Sequence, residues 1–167
     1  MCTRTHVLEV SPHTLRKSRM GSMVKILEFK EIDAGNLDDI NALLRQLVHD
    51  PSTYVPVSER DFSAIVENSQ SIIVAAKDEE RIVGVGILFV IKKFRGIYGY
   101  IEDMIVDESY RGQGIGGKIL DHLVKAARVA GVKTIELSTR PSRVPANNLY
   151  IKAGFEPKET NVYRMKL

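Results

Sequence analysis

The stretch YRGQGIGGKIL, Tyr110 to Leu120, decides how this chain is read. Gly112, Gly114, Gly116 and Gly117 crowd into one short run, directly before an apolar pattern of helical period. Glycine inside a helix costs about 1 kcal/mol against alanine. Such a density therefore points to a loop that opens a helix and lets its free N–H groups hold a phosphate. Three loop types share these letters. Gly112, Gly114 and Gly117 spell the G-x-G-x-x-G of a dinucleotide-binding turn, Gly112 to Lys118 spell a P-loop without its last letter, and Arg111, Gly114 and Gly116 fit a third pattern.

The neighbours separate them. A P-loop needs Ser or Thr after its lysine, because that hydroxyl binds the magnesium bridging the nucleotide phosphates. Ile119 stands there and cannot ligate a metal. A dinucleotide turn follows its strand almost at once and opens a long doubly wound sheet. Here Asp107, Glu108, Ser109, Tyr110 and Arg111 intervene, acids are unwelcome beside a pyrophosphate, and too little chain follows for such a sheet, although Glu136 lies at a suitable distance.

Working outward, the loop sits between a strand over Tyr98 to Val106 and a helix from about Gly114 to Ala130. Ile115, Ile119, Leu123 and Ala126 form the inner face of that helix and Lys118, Asp121, Lys125 and Arg128 its wet face. Upstream, Val24 to Phe29 suits a first strand. Asn36 is placed to cap a helix carrying Leu37, Ile40, Leu43, Leu44 and Leu47, which stops at Asp50-Pro51, and Ser58 opens a shorter helix with Phe62, Ile65 and Val66. Ser71 to Ala76 and Ile82 to Lys92 form a hairpin across a polar turn, and Phe94 to Gly96 turns into the next strand. Downstream come Gly131 as a stop, a buried strand over Lys133 to Ser138, a short helix over Pro145 to Ala153 ended by Gly154, and a last strand from about Thr160 to Met165. The order predicts an α/β (α+β) fold, a central mixed and mostly antiparallel sheet with helices on both faces.

A length of 167 residues with 44% hydrophobic content suits one domain with a real core. The apolar runs are far shorter than the roughly 20 residues of a membrane-spanning helix. The lone Cys2 excludes an intrachain disulfide and a cysteine-based zinc site, and no metal is expected. The formal charge of +3 resides entirely in residues 1–22, where Arg4, Arg16, Lys17 and Arg19 face Glu9 alone; from Met23 onward the charges balance. A balanced body carries no electrostatic footprint for nucleic acid. Residues 1–22 read as a disordered or non-native leader, and residues 23–167 as a single domain. A soluble, cytoplasmic protein is expected.

The run VDESYRGQGIG resembles the acyl-CoA-binding motif of the GNAT superfamily of N-acetyltransferases, Arg/Gln-x-x-Gly-x-Gly/Ala after a strand ending in valine. Arg111, Gly112, Gln113, Gly114, Ile115 and Gly116 match it in order behind Val106, and NNLYIKAGFEP resembles the family's Leu-Tyr-x-x-x-Gly-Phe signature at Leu149, Tyr150, Gly154 and Phe155. The resemblance covers residues 23–167. It implies transfer of the acetyl group of acetyl-CoA, a co-substrate, to a primary amine by direct attack. It also implies pyrophosphate binding by the backbone from Gln113 to Gly116, and pantetheine binding and thioester polarisation by the backbone of Met104, Ile105 and Val106.

The same resemblance puts Tyr150 where the family has its proton donor to the departing thiolate, a role that a phenol of pKa near 10 can fill. Arg143, Ala146, Asn147 and Tyr150 share one helical face by spacing, which makes Arg143 and Asn147 cofactor-binding candidates. Many family members have Asn at the position of Arg143, which could instead reach a phosphate or a substrate carboxylate. Glu102 and Asp103 are candidates for the base. As neighbours on a strand they are expected on opposite faces, so that only one enters the cleft. A core tyrosine and a salt-bridged acid are the plainer readings of these residues. His122 reads as a surface residue. The acceptor is expected to be a small-molecule amine rather than a protein N-terminus or lysine, and a catalytically silent acyl-CoA-binding module is the competing class. No nucleic acid or membrane partner is expected, and the family's habit of dimerising makes a homodimer an expectation.

Overall fold

Hairpin turns between apolar runs build most of the sheet, and one helical crossover completes it. The computed structural model describes residues 23–30, 34–48 and 50–167. The elements are β1 (Lys25–Phe29), α1 (Ala34–Leu47), α2 (Glu59–Val66), β2 (Ser71–Asp78), β3 (Arg81–Lys93), β4 (Gly96–Val106), α3 (Ile115–Val129), β5 (Thr134–Leu137) and α4 (Val144–Lys152), with 3-10 turns at Pro51–Thr53 and Glu108–Tyr110. The strands lie in the order β1-β2-β3-β4-β5. The first four pair antiparallel and β5 joins β4 in parallel. A parallel neighbour requires a crossover, which α3 supplies.

The two sheet faces carry separate cores. Ile40, Leu43 and Phe62 of α1 and α2 pack on Ile73, Ala75, Val85 and Ile105. On the other face, Ile115, Ile119, Leu120, Leu123 and Ala127 of α3 pack on Val74, Ala76, Leu88 and Ile101. The expected mixed sheet with helices on both faces is the architecture observed. Gly84 and Gly86 let α3 lie close to β3, since a Cβ at Gly86 would meet Leu123 Cδ1 at 3.0 Å and Ile119 Cγ2 at 3.1 Å.

Most predicted elements hold within a residue or two, and Ser58 caps α2 by accepting from the Asp61 N–H. Three expectations need correction. First, α1 begins at Ala34, so Asn36 lies buried in its first turn instead of capping it. Second, β5 is half-exposed rather than buried, because it forms the sheet edge. Third, the last strand from Thr160 to Met165 is absent: this segment has no regular secondary structure and joins no ladder. Its Val162, Tyr163 and Met165 are 82–89% exposed, so its alternation buries no face against the sheet. The Lys158–Glu136 ion pair at 2.6 Å tethers the start of this tail to β5. The leader expected over residues 1–22 lies outside the described residues.

Candidate active site

The geometry of the site begins with one extra residue in β4. Pairing runs from Ile87↔Glu102 to Val85↔Ile105, so Asp103 and Met104 together oppose the single Gly86, a β-bulge. Asp103 sits at φ +47°, a left-handed conformation unusual for a residue with a side chain. The packing registers the slip. Ile101 joins the α3-side core and Ile105 the α1-side core, although an even spacing in a regular strand puts both on one face.

The bulge overturns the expectation that only one of Glu102 and Asp103 faces the cleft. Both line it, because the alternation that would separate them is interrupted between them. Burial raises the pKa of Glu102, the Asp103 charge raises it further, and a backbone hydrogen bond at Asp103 opposes. Burial also raises that of Asp103. Both carboxylates open to water in the cleft, yet its walls crowd them enough to disfavour the charged form. Neither makes an ion pair among the described residues, so the salt-bridge reading is not met.

Beyond Ile101↔Leu137 the pairing of β4 with β5 stops, while β4 continues to Val106. The strands part there, and a cavity of about 580 Å³ opens between Met104, Ile105 and Val106, the α3 N-terminus, and Leu149 and Tyr150 of α4. On this edge the β4 backbone has no strand partner among the described residues, so its N–H and C=O groups can bind an extended chain.

The glycine loop closes one end of the cavity. Gly112 and Gly114 adopt φ +78° and +75°, and Gly114 is the N-cap of α3 without a side-chain cap bond. The first helical bond runs from Lys118 N–H to the Gly114 carbonyl at 3.1 Å, leaving the N–H groups before it without intrahelical acceptors. These donors sit at the positive end of a fifteen-residue helix. Arg111, Gly112, Gly114, Ile115 and Gly116 line the cavity and Gln113 does not.

Of the two acids before the loop, which looked hostile to a pyrophosphate, neither lines the cavity, and Asp107 is occupied elsewhere. Asp107 accepts from the Ser109 N–H and hydroxyl and from the Gln46 amide at 3.2 Å. Although its burial disfavours charge, these bonds from Ser109 and Gln46, helped by Arg81, hold its carboxyl below the ordinary value. Gln46 also accepts from the Glu108 N–H, and Arg111 Nε donates to the Val106 carbonyl at 3.1 Å. Gln46 of α1 thus fixes the loop from across the sheet, a role that no local pattern signals.

Tyr150 lines the cavity, its ring edge-on to Phe155 with centroids 6.0 Å apart. Burial raises its phenol pKa; the nearby Arg143 charge lowers it and Glu102 raises it. The hydroxyl therefore stays protonated above neutral pH, as a proton donor must. Arg143 lines the same cavity and its Nη2 donates to the Leu47 carbonyl, joining α4 to the end of α1. Asn147, predicted to contact the cofactor, lines neither this cavity nor the one adjoining it; its amide donates to the Arg140 and Arg143 carbonyls at 2.9 and 3.0 Å. His122 is partly exposed and lies 3.6 Å from Glu28, away from the cleft.

A second cavity of about 530 Å³ adjoins the first, and Leu47, Glu102, Asp103, Ser138, Thr139 and Arg143 line both. The carboxylates and Arg143 thus mark the junction of two chambers. Tyr54 belongs to the second chamber alone, held by its hydroxyl donating to Asn41 at 2.6 Å.

Among the described residues no group of His, Cys, Asp or Glu is arranged to hold a metal ion, and no helix is long and apolar enough to cross a membrane. The family model described as "Acetyltransferase (GNAT) family" matches residues 39–155. The chain is 29% identical to glucosamine 6-phosphate N-acetyltransferase 1 of Oryza sativa subsp. japonica, over 83% of this chain and 84% of that one. It is 32% identical to glucosamine 6-phosphate N-acetyltransferase 1 of Dictyostelium discoideum, over 79% and 86% respectively. The solved structure of a Trypanosoma brucei acetyltransferase superposes with a TM-score of 0.69 at 25% identity, covering 87% of this chain and all of that one.

Proposed function

Because this chain belongs to the acetyltransferase (GNAT) family, we propose that its cleft transfers an acetyl group from acetyl-CoA to the primary amine of a small molecule. The observation that carries this reading is the meeting of two chambers at a pair of carboxylates, with a phenol on the wall of the first. One chamber suits the cofactor. The acceptor-free N–H groups of the α3 N-terminus fit its pyrophosphate, and the unpaired β4 edge from Met104 to Val106 fits the pantetheine arm. Acetyl-CoA supplies the acyl thioester that the amine attacks.

The carboxylates at the junction and the phenol beside it divide the proton work. A carboxylate, Glu102 or Asp103, takes a proton from the ammonium and frees the lone pair; a raised pKa brings its basicity closer to the amine's. The new N–C bond forms as the C–S bond breaks, the Tyr150 hydroxyl gives its proton to the sulfur, and the second proton that the nitrogen sheds on becoming an amide restores the phenol. The backbone N–H groups beyond the bulge are available to the thioester oxygen. Relatives named for glucosamine 6-phosphate support a small amine over a protein acceptor.

The test is isothermal titration with acetyl-CoA followed by a broad amine screen that reads CoA release. Absence of acetyl-CoA binding would refute the reading. Binding without turnover on any amine, with Tyr150→Phe indistinguishable from wild type, would indicate a silent acyl-CoA-binding module.

A further inference from the structure

The segment Asp107 to Arg111 stands between the end of β4 and the first glycine of the loop, and the acetyl-transfer reading gives it no task. Most of its bonds only shape its own turn. The Asp107 carboxylate and carbonyl accept from the N–H groups of Ser109 and Tyr110, both at 2.9 Å, and the Glu108 carbonyl accepts from the Arg111 N–H. Ties to the rest of the molecule are fewer. The Asp107 N–H donates to the Val83 carbonyl at 2.9 Å, the Tyr110 hydroxyl donates to Asp78 at 2.6 Å, and the remaining contacts gather on Gln46.

That one amide meets the segment at three points. Its Nε2 donates to Asp107 Oδ2 at 3.2 Å, and its Oε1 accepts from the Glu108 N–H at 3.1 Å and from Arg111 Nη2 at 3.4 Å. Each end of the amide therefore faces its complement, a carboxylate for the donor and two N–H groups for the acceptor. Turned over, it would set like against like at every contact. Gln46 belongs to the last turn of α1, a helix packed on the opposite sheet face from α3, so the tie comes from an element independent of the loop it holds. The Arg111 guanidinium is drawn into the same arrangement, with its Nε on the Val106 carbonyl.

We propose that Gln46 is a positioning residue for cofactor binding: its directed contacts with Asp107, Glu108 and Arg111 aim the N–H donors of the α3 entrance, so that affinity for acetyl-CoA is set in part from α1. The proposal rests on the acetyl-CoA reading of the cavity and adds a determinant of affinity that lies outside the glycine motif. Hydrogen bonds weaken steeply as donor and acceptor lose alignment. A loop that holds an anion by backbone donors thus depends on what fixes its backbone.

The test titrates CoA into wild type, Gln46→Ala, Gln46→Glu, Asp107→Asn and the double variant Gln46→Glu/Asp107→Asn. Neither side chain belongs to the core, so the variants retain the fold. Gln46→Glu keeps the acceptor and sets a carboxylate against Asp107. Asp107→Asn sets an amide against the donor of Gln46. The double variant exchanges donor and acceptor and rebuilds the contact, while the other oxygen at position 107 still accepts from Ser109. Each single variant should bind CoA about tenfold more weakly, and the double variant should return to within about threefold of wild type. Charge alone predicts otherwise, since removing an acid near a pyrophosphate would make Asp107→Asn bind more tightly and leave Gln46→Ala unchanged. Asp107→Asn at or above wild-type affinity, or a double variant as weak as the singles, overturns the proposal and leaves the acetyl-CoA reading standing. With an amine that is turned over, KM for acetyl-CoA should follow the same pattern while kcat holds; a fall in kcat at constant KM also overturns it. Wild type that binds no CoA refutes the acetyl-CoA reading and this proposal with it.

Discussion

The same added methyl group has opposite consequences at two glycines of the α3 entrance. Gly114 holds φ +75°, where a Cβ meets no protein atom within 4 Å but crowds its own backbone. Alanine in this left-handed region costs about 1–2 kcal/mol, so Gly114→Ala should melt about 2–8 °C lower at 2–4 °C per kcal/mol. Gly116 lies two residues into α3, and a Cβ there would find Leu149 Cδ2 at 3.5 Å, an ordinary contact. Removing glycine's backbone entropy is worth about 0.5–1 kcal/mol, so Gly116→Ala should melt about 1–4 °C higher. Urea unfolding should separate the two variants by roughly 1.5–3 kcal/mol. Titration with CoA should show affinity nearly unchanged for Gly116→Ala and reduced about tenfold for Gly114→Ala, whose relaxed backbone misaims its donors. A Gly116→Ala protein less stable than wild type, or a Gly114→Ala protein as stable, would refute the assignment of conformational need to one glycine and mere permissiveness to the other.

Tyr150→Phe should lower kcat about a hundredfold or more with acetyl-CoA affinity preserved, as loss of a proton donor requires; steady-state kinetics near wild type would remove Tyr150 from the chemistry. Asp103→Asn deletes a charge that raises the Glu102 pKa. If Glu102 is the base, the acid limb of the pH profile of kcat/KM should move to lower pH, whereas loss of activity at every pH would make Asp103 the base. Because burial raises the folded-state pKa of Glu102, its favourable contribution is complete below the ordinary carboxylate range and lost as pH rises through the raised value. Glu102→Gln should therefore raise the neutral-pH Tm by about 1–2 °C, a modest gain because water reaches the group, and the gain should vanish in acid. At Gly86 a Cβ would meet side chains at 3.0–3.3 Å. Gly86→Ala should cost about 1–3 kcal/mol by overpacking, measurable in thermal melts.

Legibility in the sequence followed the range of the forces. The apolar periods of α1, α3 and β3 and the glycines before Ile115 are local signals, and they located most elements and the glycine loop at the mouth of the cavity. The bulge was hidden because Glu102, Asp103 and Met104 carry no glycine or proline to announce it; the extra residue shows only against the register of β3. Gln46 and Arg164 enter the site from opposite ends of the chain, through contacts that no spacing encodes. Asn147 shared a helical face with Tyr150 as expected, yet its amide serves two carbonyls of the preceding turn. The expected final strand failed for a related reason: Thr160 to Met165 has strand-forming residues, but strand formation is settled by a partner.

The slip at Asp103 is a change of phase, and everything after it in β4 is written in the opposite one. An unbroken strand would keep Ile101 and Ile105 on one side and pair evenly along its length, but it would turn one of the two acids away from the cleft. One surplus residue thus works as a punctuation mark, ending the segment that pairs with β5 and beginning the one whose free edge faces the cleft. Two chains of similar composition that differ by that single insertion would share a sheet and differ in whether the sheet has an interior address for chemistry.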